Sequence, residues 1–341
     1  MIINPLGFPL DRRILLNSGH SMSMLGFGTF QGTPITPSAR STVKESVLHA
    51  LRTGYRHIDT AYSYGIEEEV GQALKQAFEE GIVKREEVFV TTKLHQTFHR
   101  PKDVEIGVRR SLERLKLKWV NLLLMHMPHA YVPGPDYEPV LKDDGQPMID
   151  YEASRDYVGT WRAMEALVGE KVRSIGVSNY NILKMKRLLE NCKIPPAVNQ
   201  VELHPYFPQR NLVRWCRERG VVVVAHSPLG GVPTAAVATN LDAGKPLEDP
   251  LTLELAEKYH IRPSQIILSW GLQRGTGIVP KSNDPERIEL NAELVELARE
   301  DFERVEGLKG EGEEVRFYNH ERLIGFDIFD EKVEDRSSTR E

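Results

Sequence analysis

Eight short apolar runs, each followed by a stretch whose apolar residues recur at helical spacing, constrain this chain more than any other feature. The runs are "LGFGTF" (25–30), "RHIDTA" (56–61), "VFVTTK" (88–93), "VNLLLMH" (120–126), "RSIGVSN" (173–179), "AVNQVEL" (197–203), "VVVVAHS" (221–227) and "TGIVPKS" (276–282). Several are apolar at consecutive positions, as strands covered on both faces must be, whereas a half-exposed sheet would alternate. Parallel order follows. Between them, "EEEVGQALKQAF" sets Val70, Leu74 and Phe78 on one face, and "DVEIGVRRSLERL" repeats Ile106, Val108, Leu112 and Leu115 in a similar stripe. "PERIELNAEL" opens on a Pro suited to a first helical turn, and "QRNLVRWCRERG" closes on Gly220. Eight strand and helix alternations without an evident linker predict an α/β chain folded as a (β/α)8 TIM barrel rather than an open doubly wound sheet.

The 341 residues read as one barrel domain, with 12–307 as its core and 308–341 as a tail whose end is flexible. Ahead of the first run, "RILLNSGHSMSML" carries an Asn-Ser-Gly turn between short apolar pieces, a hairpin expected to cap the barrel bottom. Two connections exceed a simple turn: 129–154, rich in Pro, Gly and Asp, and 229–250. Both follow strands, so they belong at the C-terminal face, where such barrels build their sites.

Composition excludes several functions. A net charge of −5 with 44 basic and 49 acidic residues gathers neither nucleic acid nor an anionic membrane surface. Two cysteines supply neither a disulfide framework nor a zinc ligand set. No run approaches the ~18 to 20 apolar residues of a membrane span, and the N-terminus lacks an apolar leader with a small-residue cleavage site. The expectation is a cytoplasmic protein, monomeric or weakly dimeric, that works on a small molecule.

Polar residues gather at the ends of the apolar runs: Asp59, Lys93, His126, Ser178 with Asn179, Gln200, Ser227, and Lys281 with Ser282. Any one alone reads as structural, a hydrogen-bonded His or a Lys reaching for water. Seven together read as a site, because ionisable groups at buried strand ends cost free energy unless paired or used. The set holds no clustered carboxylates or paired His for a metal, and the chain has no GxSxG elbow for acyl transfer. It suits general acid chemistry. Tyr64 follows Asp59 by five residues, and a phenol near ~10 shares its proton at neutral pH only if lowered by several units, a bias expected from an ammonium tied to Asp59.

"GYRHIDTAYSYGIEEEVG", "MEALVGEKVRSIGVSNY" and "VPKSNDPERIELN" closely resemble three signature segments of the aldo-keto reductases, and "VFVTTK", "LLLMHMP" and "AVNQVELHPY" resemble further family segments. The resemblance covers residues 12 to 307. It implies a barrel that binds NADPH, with NADH as a second candidate, without a Rossmann domain; "GFGTFQG" indeed has the wrong spacing for GxGxxG. By position it implies Tyr64 as proton donor, Lys93 and Asp59 as the pair that lowers its pKa, and His126 as the group orienting the carbonyl. Thr29, Phe30, Asp59, Ser178, Asn179, Gln200 and His226 fall at the nicotinamide end, Ser227 and Leu229 at the pyrophosphate, and Lys281, Ser282, Asn283, Arg287 and Asn291 at the adenosine end. Cations there suit a 2′-phosphate.

The chain departs from the family pattern at several positions. His226 stands where an aromatic, commonly Tyr, stacks on the nicotinamide, and its titratable charge predicts pH-sensitive cofactor affinity. Leu290 replaces a small or polar residue, and Phe30, His95 and Met127 replace aromatics. The long loop and the tail are similar to those of the sugar- and polyol-reducing, xylose/aldose reductase-like branch. The resemblance implies an NADPH-dependent oxidoreductase reducing aldehyde, ketone or sugar carbonyls; the alternative is a cofactor-binding regulatory subunit with little turnover, and a barrel hydrolase is disfavoured.

Overall fold

A computed structural model describes residues 7–32, 35–231 and 237–329. The expected flexible end (330–341), the first six residues and part of the 229–250 connection lie outside the described residues. A two-stranded antiparallel ribbon, β1 (Arg13–Leu15) with β2 (Ser21–Ser23), precedes eight parallel strands. These are β3 (Phe27–Gly28), β4 (His57–Asp59), β5 (Phe89–Leu94), β6 (Val120–Met125), β7 (Val172–Ser178), β8 (Val198–Glu202), β9 (Val222–His226) and β10 (Gly277–Ile278). Each neighbours the next in chain order. The sheet closes on itself through a parallel bridge between Leu25 and Ile278 and through the Gly26 and Gly28 amides, which donate to the carbonyls of Ile278 and Pro280 at 2.8 Å. Closure needs Gly28: a Cβ there would sit 2.7 Å from the Val279 carbonyl oxygen.

Strand alternation splits the core in two. Leu122, Leu124, Val222 and Val224 point into the barrel with Phe89 and Val198, while Leu123 and Val223 point outward to the helices. The outer layer receives the stripes read from sequence, Val70 and Leu74 from the helix Glu67–Glu79 and Val108 and Leu112 from the helix Val104–Leu115. Leu16 and Met22 of the ribbon join the inner cluster, and the Asn17 side-chain amide donates to the Pro196 carbonyl at 2.9 Å. The ribbon therefore plugs the N-terminal end of the barrel and leaves the C-terminal end for chemistry.

The expected strand ending at Lys281 and Ser282 is shorter than its apolar pattern. Strand β10 stops at Ile278, and both residues lie in the following loop. Pro280 explains this, since it has no N–H to carry the ladder onward. The connection after β6 folds back on itself through bridges between Tyr131 and Ile149 and between Leu141 and Pro147. Its Met127, Tyr131 and Ile149 then pack against Ile324 and Ile328 of the C-terminal segment. Among the described residues no helix is long and apolar enough to cross a membrane.

Candidate active site

The C-terminal strand ends bring Asp59, Lys93, Tyr64 and His126 into one cluster. Lys93 is 1% exposed, and its ammonium has three protons and no lone pair. Three acceptors surround it: Asp59 Oδ1 at 2.5 Å, the Thr60 carbonyl at 3.0 Å and Tyr64 Oη at 3.2 Å. Asp59 is held from its other side by Gln200 Nε2, which donates to Oδ2 at 2.7 Å. Thr29 adds to the scaffold, its hydroxyl donating to the Asp59 carbonyl at 2.9 Å. Because Lys93 donates to Tyr64 Oη, the phenol's own proton must be directed elsewhere. Burial alone would lower Lys93, but Asp59 and Tyr64 outweigh it and hold the ammonium above its ordinary range.

The expected lowering of the Tyr64 phenol is not what the structure produces. Burial raises it, Lys93 pulls it down, the Asp59 charge pushes it up, and the net direction is upward. The sequence shows the cation but not the desolvation. The consequence is a phenol that stays protonated, which is the form a proton donor needs.

Across the mouth, the His126 ring lies 5.7 Å from that of Tyr64, edge to face, and its Nδ1 is 3.2 Å from Ser63 Oγ. Burial first, then Lys93 and neighbouring imidazoles, holds His126 well below the ordinary histidine range, so it is neutral at pH 7. When the Ser63 hydroxyl donates to Nδ1, the neutral ring carries its proton on Nε2. Phe30 packs on Tyr64 with centroids 5.0 Å apart. Tyr62 points away: it is buried on Phe98, and its hydroxyl accepts from Arg114 Nη2 at 3.2 Å.

A second group adjoins the first. Ser178 Oγ donates to the Gln200 carbonyl at 2.8 Å. Asn179, in the left-handed region at φ 64°, which Asn tolerates better than most residues, donates through Nδ2 to the His126 carbonyl at 3.1 Å. Its Oδ1 accepts from His226 Nε2 at 3.0 Å, and His226 Nδ1 is 3.3 Å from Ser227 Oγ. His226 thus links the two expected cofactor contacts on either side of it. Its expected titration near neutral pH is corrected here: burial pushes it down to about 4.

The remaining expected residues form a separate, exposed group beyond β10. Lys281 is exposed, and no carboxylate among the described residues lies within ion-pair distance of it. Among the described residues Arg287 pairs with Asp284, at 3.9 Å. Asn283 exchanges two hydrogen bonds with Gln31, at 2.8 and 3.2 Å, which ties the loop after β3 to the loop after β10. Ser282 Oγ accepts from the Asp284 amide at 3.0 Å, and Asn291 is buried where the helix Pro285–Leu290 ends. Leu229 is half-buried, with its side chain packed against the edge of the core.

A third contribution has only His95 among the residues singled out in the sequence. His129 is 1% exposed, and neither of its ring nitrogens has a hydrogen-bond partner among the described residues. It packs 5.7 Å from His320 and 5.2 Å from Tyr131, which itself lies 6.0 Å from His95. These rings come from three separate segments, so no local motif announces them.

Residues 24–309 match the family described as the Aldo/keto reductase family. The chain is 38% identical over 323 residues to the glycerol 2-dehydrogenase (NADP(+)) of Hypocrea jecorina, covering 93% of this chain and 98% of that protein. It is 42% identical over 288 residues to the human aldo-keto reductase family 1 member A1, covering 83% and 84%. Among solved structures, the aldose reductase of Schistosoma japonicum superposes with a TM-score of 0.82 at 32% identity, covering 94% of this chain and 99% of that one. A Bombyx mori aldo-keto reductase in complex with NADP gives 0.74 at 35% identity, covering 87% and 92%.

Proposed function

The chain belongs to the aldo/keto reductase family, and from that premise we propose that Tyr64, Lys93, Asp59 and His126 are the catalytic groups of an NADPH-dependent reductase of aldehyde, ketone or sugar carbonyls. The observation that carries the assignment is the Lys93 ammonium, saturated by Asp59, Thr60 and Tyr64. Tyr64 gives its proton to the carbonyl oxygen, and the phenolate left behind faces a buried cation that cannot turn away. Asp59 keeps that cation charged; His126, neutral, donates from Nε2 and fixes the carbonyl's direction. NADPH, when bound, supplies the hydride.

The donor set fits such a cofactor. Ser178, Asn179 and Gln200 would hold the carboxamide, His226 would face the ring with Thr29 and Phe30 nearby, and Ser227 with the Leu229 backbone would take the pyrophosphate. Lys281 and Arg287, two exposed cations with slack pairing, would meet the 2′-phosphate, with Ser282, Asn283 and Asn291 at the adenosine. The whole chain is read as one barrel unit acting in the cytoplasm as a monomer or weak dimer. The intact catalytic cluster favours turnover over a regulatory role. Relatives named glycerol 2-dehydrogenase, together with the unpartnered nitrogens of His129, favour small carbonyl compounds that carry hydroxyl groups.

NADPH consumption with glyceraldehyde, dihydroxyacetone, xylose and an apolar aromatic aldehyde tests this, with the hydroxylated compounds expected to turn over best. A chain that causes no change in NADPH fluorescence overturns the cofactor reading. Arg287→Ala is expected to weaken NADPH about tenfold and leave NADH unchanged, the loss of about one charge-assisted contact. Since burial keeps His226 neutral down to about pH 4, the profile of NADPH affinity between about pH 8 and 6 should keep its shape in His226→Phe. A step that vanishes in that variant would show His226 titrating.

A further inference from the structure

Glu202, the last residue of β8, is 1% exposed and lies two residues beyond Gln200, on the same face of the strand. None of the chemistry above uses it. Its Oε1 accepts from the Phe317 amide at 2.6 Å and from His204 Nε2 at 3.0 Å, and its Oε2 accepts from the Tyr318 amide at 3.0 Å. Arg316 Nη1 stands 4.0 Å away. Two successive backbone amides and two side chains thus converge on one buried carboxylate, and three of the four donors belong to the C-terminal segment. A buried carboxylate without partners is costly, so segment and carboxylate hold each other in place.

The same segment carries a second passenger. The Thr239 amide donates to the Phe317 carbonyl at 3.0 Å, the Asn319 amide to the Val237 carbonyl at 2.9 Å, and Asn240 Nδ2 to the Arg316 carbonyl at 2.8 Å, with an antiparallel bridge between Ala238 and Tyr318. Residues 237–240 lie in the long connection that leaves β9 at Ser227. Neither segment belongs to the barrel, and they pair with each other. The pair also meets the site, where the Tyr318 ring stands 5.6 Å from that of His226, edge to face, while Phe317 stacks on His204, the other partner of Glu202.

We propose that Glu202 is a positioning residue, which by holding the backbone of 316–318 fixes the paired segments 237–240 and 315–319 beside His226 and thereby sets how slowly NADPH leaves. Residues 323–329 of the C-terminal segment pack on the connection after β6, so the paired segments 237–240 and 315–319 are tied through Glu202 to β8 and through 323–329 to that connection. The inference rests on the NADPH reading given above.

The test is the rate of NADPH release from the full chain, read by fluorescence on chasing with excess NADP+. Glu202→Gln keeps the shape but offers one acceptor where two amides need two, and is expected to release NADPH about tenfold faster. Amide exchange should also quicken at Thr239, which Glu202 does not touch. Asn240→Gly preserves the left-handed backbone at φ 53° and removes only the bond to Arg316; a release about threefold faster is expected at unchanged Tm. If Glu202→Gln lowers Tm by more than about 5 °C, Asn240→Gly decides. A wild-type chain that binds NADPH and releases it as slowly as both variants do overturns this inference alone. A wild-type chain that binds no NADPH overturns the cofactor reading and this inference with it.

Discussion

Tyr64→Phe is expected to lower kcat for carbonyl reduction by about 1,000-fold while NADPH affinity and Tm stay close to wild type. The magnitude is that of losing a positioned general acid. The loss should appear in kcat and kcat/KM alike, because the proton is transferred only as the carbonyl is reduced. Stability should change little, since the ring's packing on Phe30 and His126 survives and the removed oxygen relieves Lys93 of only one of three acceptors. Steady-state rates with one substrate across pH, beside a fluorescence titration of NADPH, check it. Equal activity in the variant would remove Tyr64 from the chemistry. In the wild type the rate should not fall through the neutral range, because burial keeps the phenol loaded.

A steep loss of stability in mild acid is the second large effect. His57, His99 and His129 are each 1% exposed, and burial pushes the first down to about 4, the second to about 3 and the third well below its ordinary value. The unfolded chain takes up these protons near pH 6.5, the folded chain only far below it. Between those limits the unfolded state binds more protons, so stability is full above pH 6.5 and falls as pH falls. These three alone correspond to about 4 kcal/mol per pH unit once the unfolded groups are charged, and His126 and His226, lowered in the same way, act in the same direction. Against a typical total of ~5 to 15 kcal/mol this places acid unfolding between about pH 4 and 5. Glu67, a buried carboxyl raised by burial and bonded to the Thr92 and Ser111 hydroxyls, works in the opposite sense through one proton. Far-ultraviolet circular dichroism against pH, at fixed salt, checks the expectation, and His99→Gln should shallow the transition. A chain stable to pH 4 would contradict it.

His57 shows why such protonation states are not legible from sequence. In "RHIDTA" it reads as a polar residue beside Asp59, yet its ring points into the barrel, with Nδ1 donating to the Ser23 carbonyl and Nε2 accepting from Thr91. Asp59, two residues on, faces the same way and reaches the mouth. Lys281 shows the complementary error: the apolar pattern carries the strand to it, but Pro280 ends the ladder first.

The sequence alone determines the eightfold alternation, the closing order of the strands and the residue types at their C-terminal ends, because each depends on periodicities of two to four residues that are local. Asp59, Lys93 and His126 stand at those ends, whereas Tyr64 stands out only through its five-residue offset from Asp59 read beside Lys93 and His126. Only the tertiary structure decides which way the Tyr64 phenol shifts, that His226 stays neutral, and that Glu202 anchors residues more than a hundred positions away. Those outcomes depend on desolvation and on hydrogen bonds between distant segments, and neither exists until the barrel has closed.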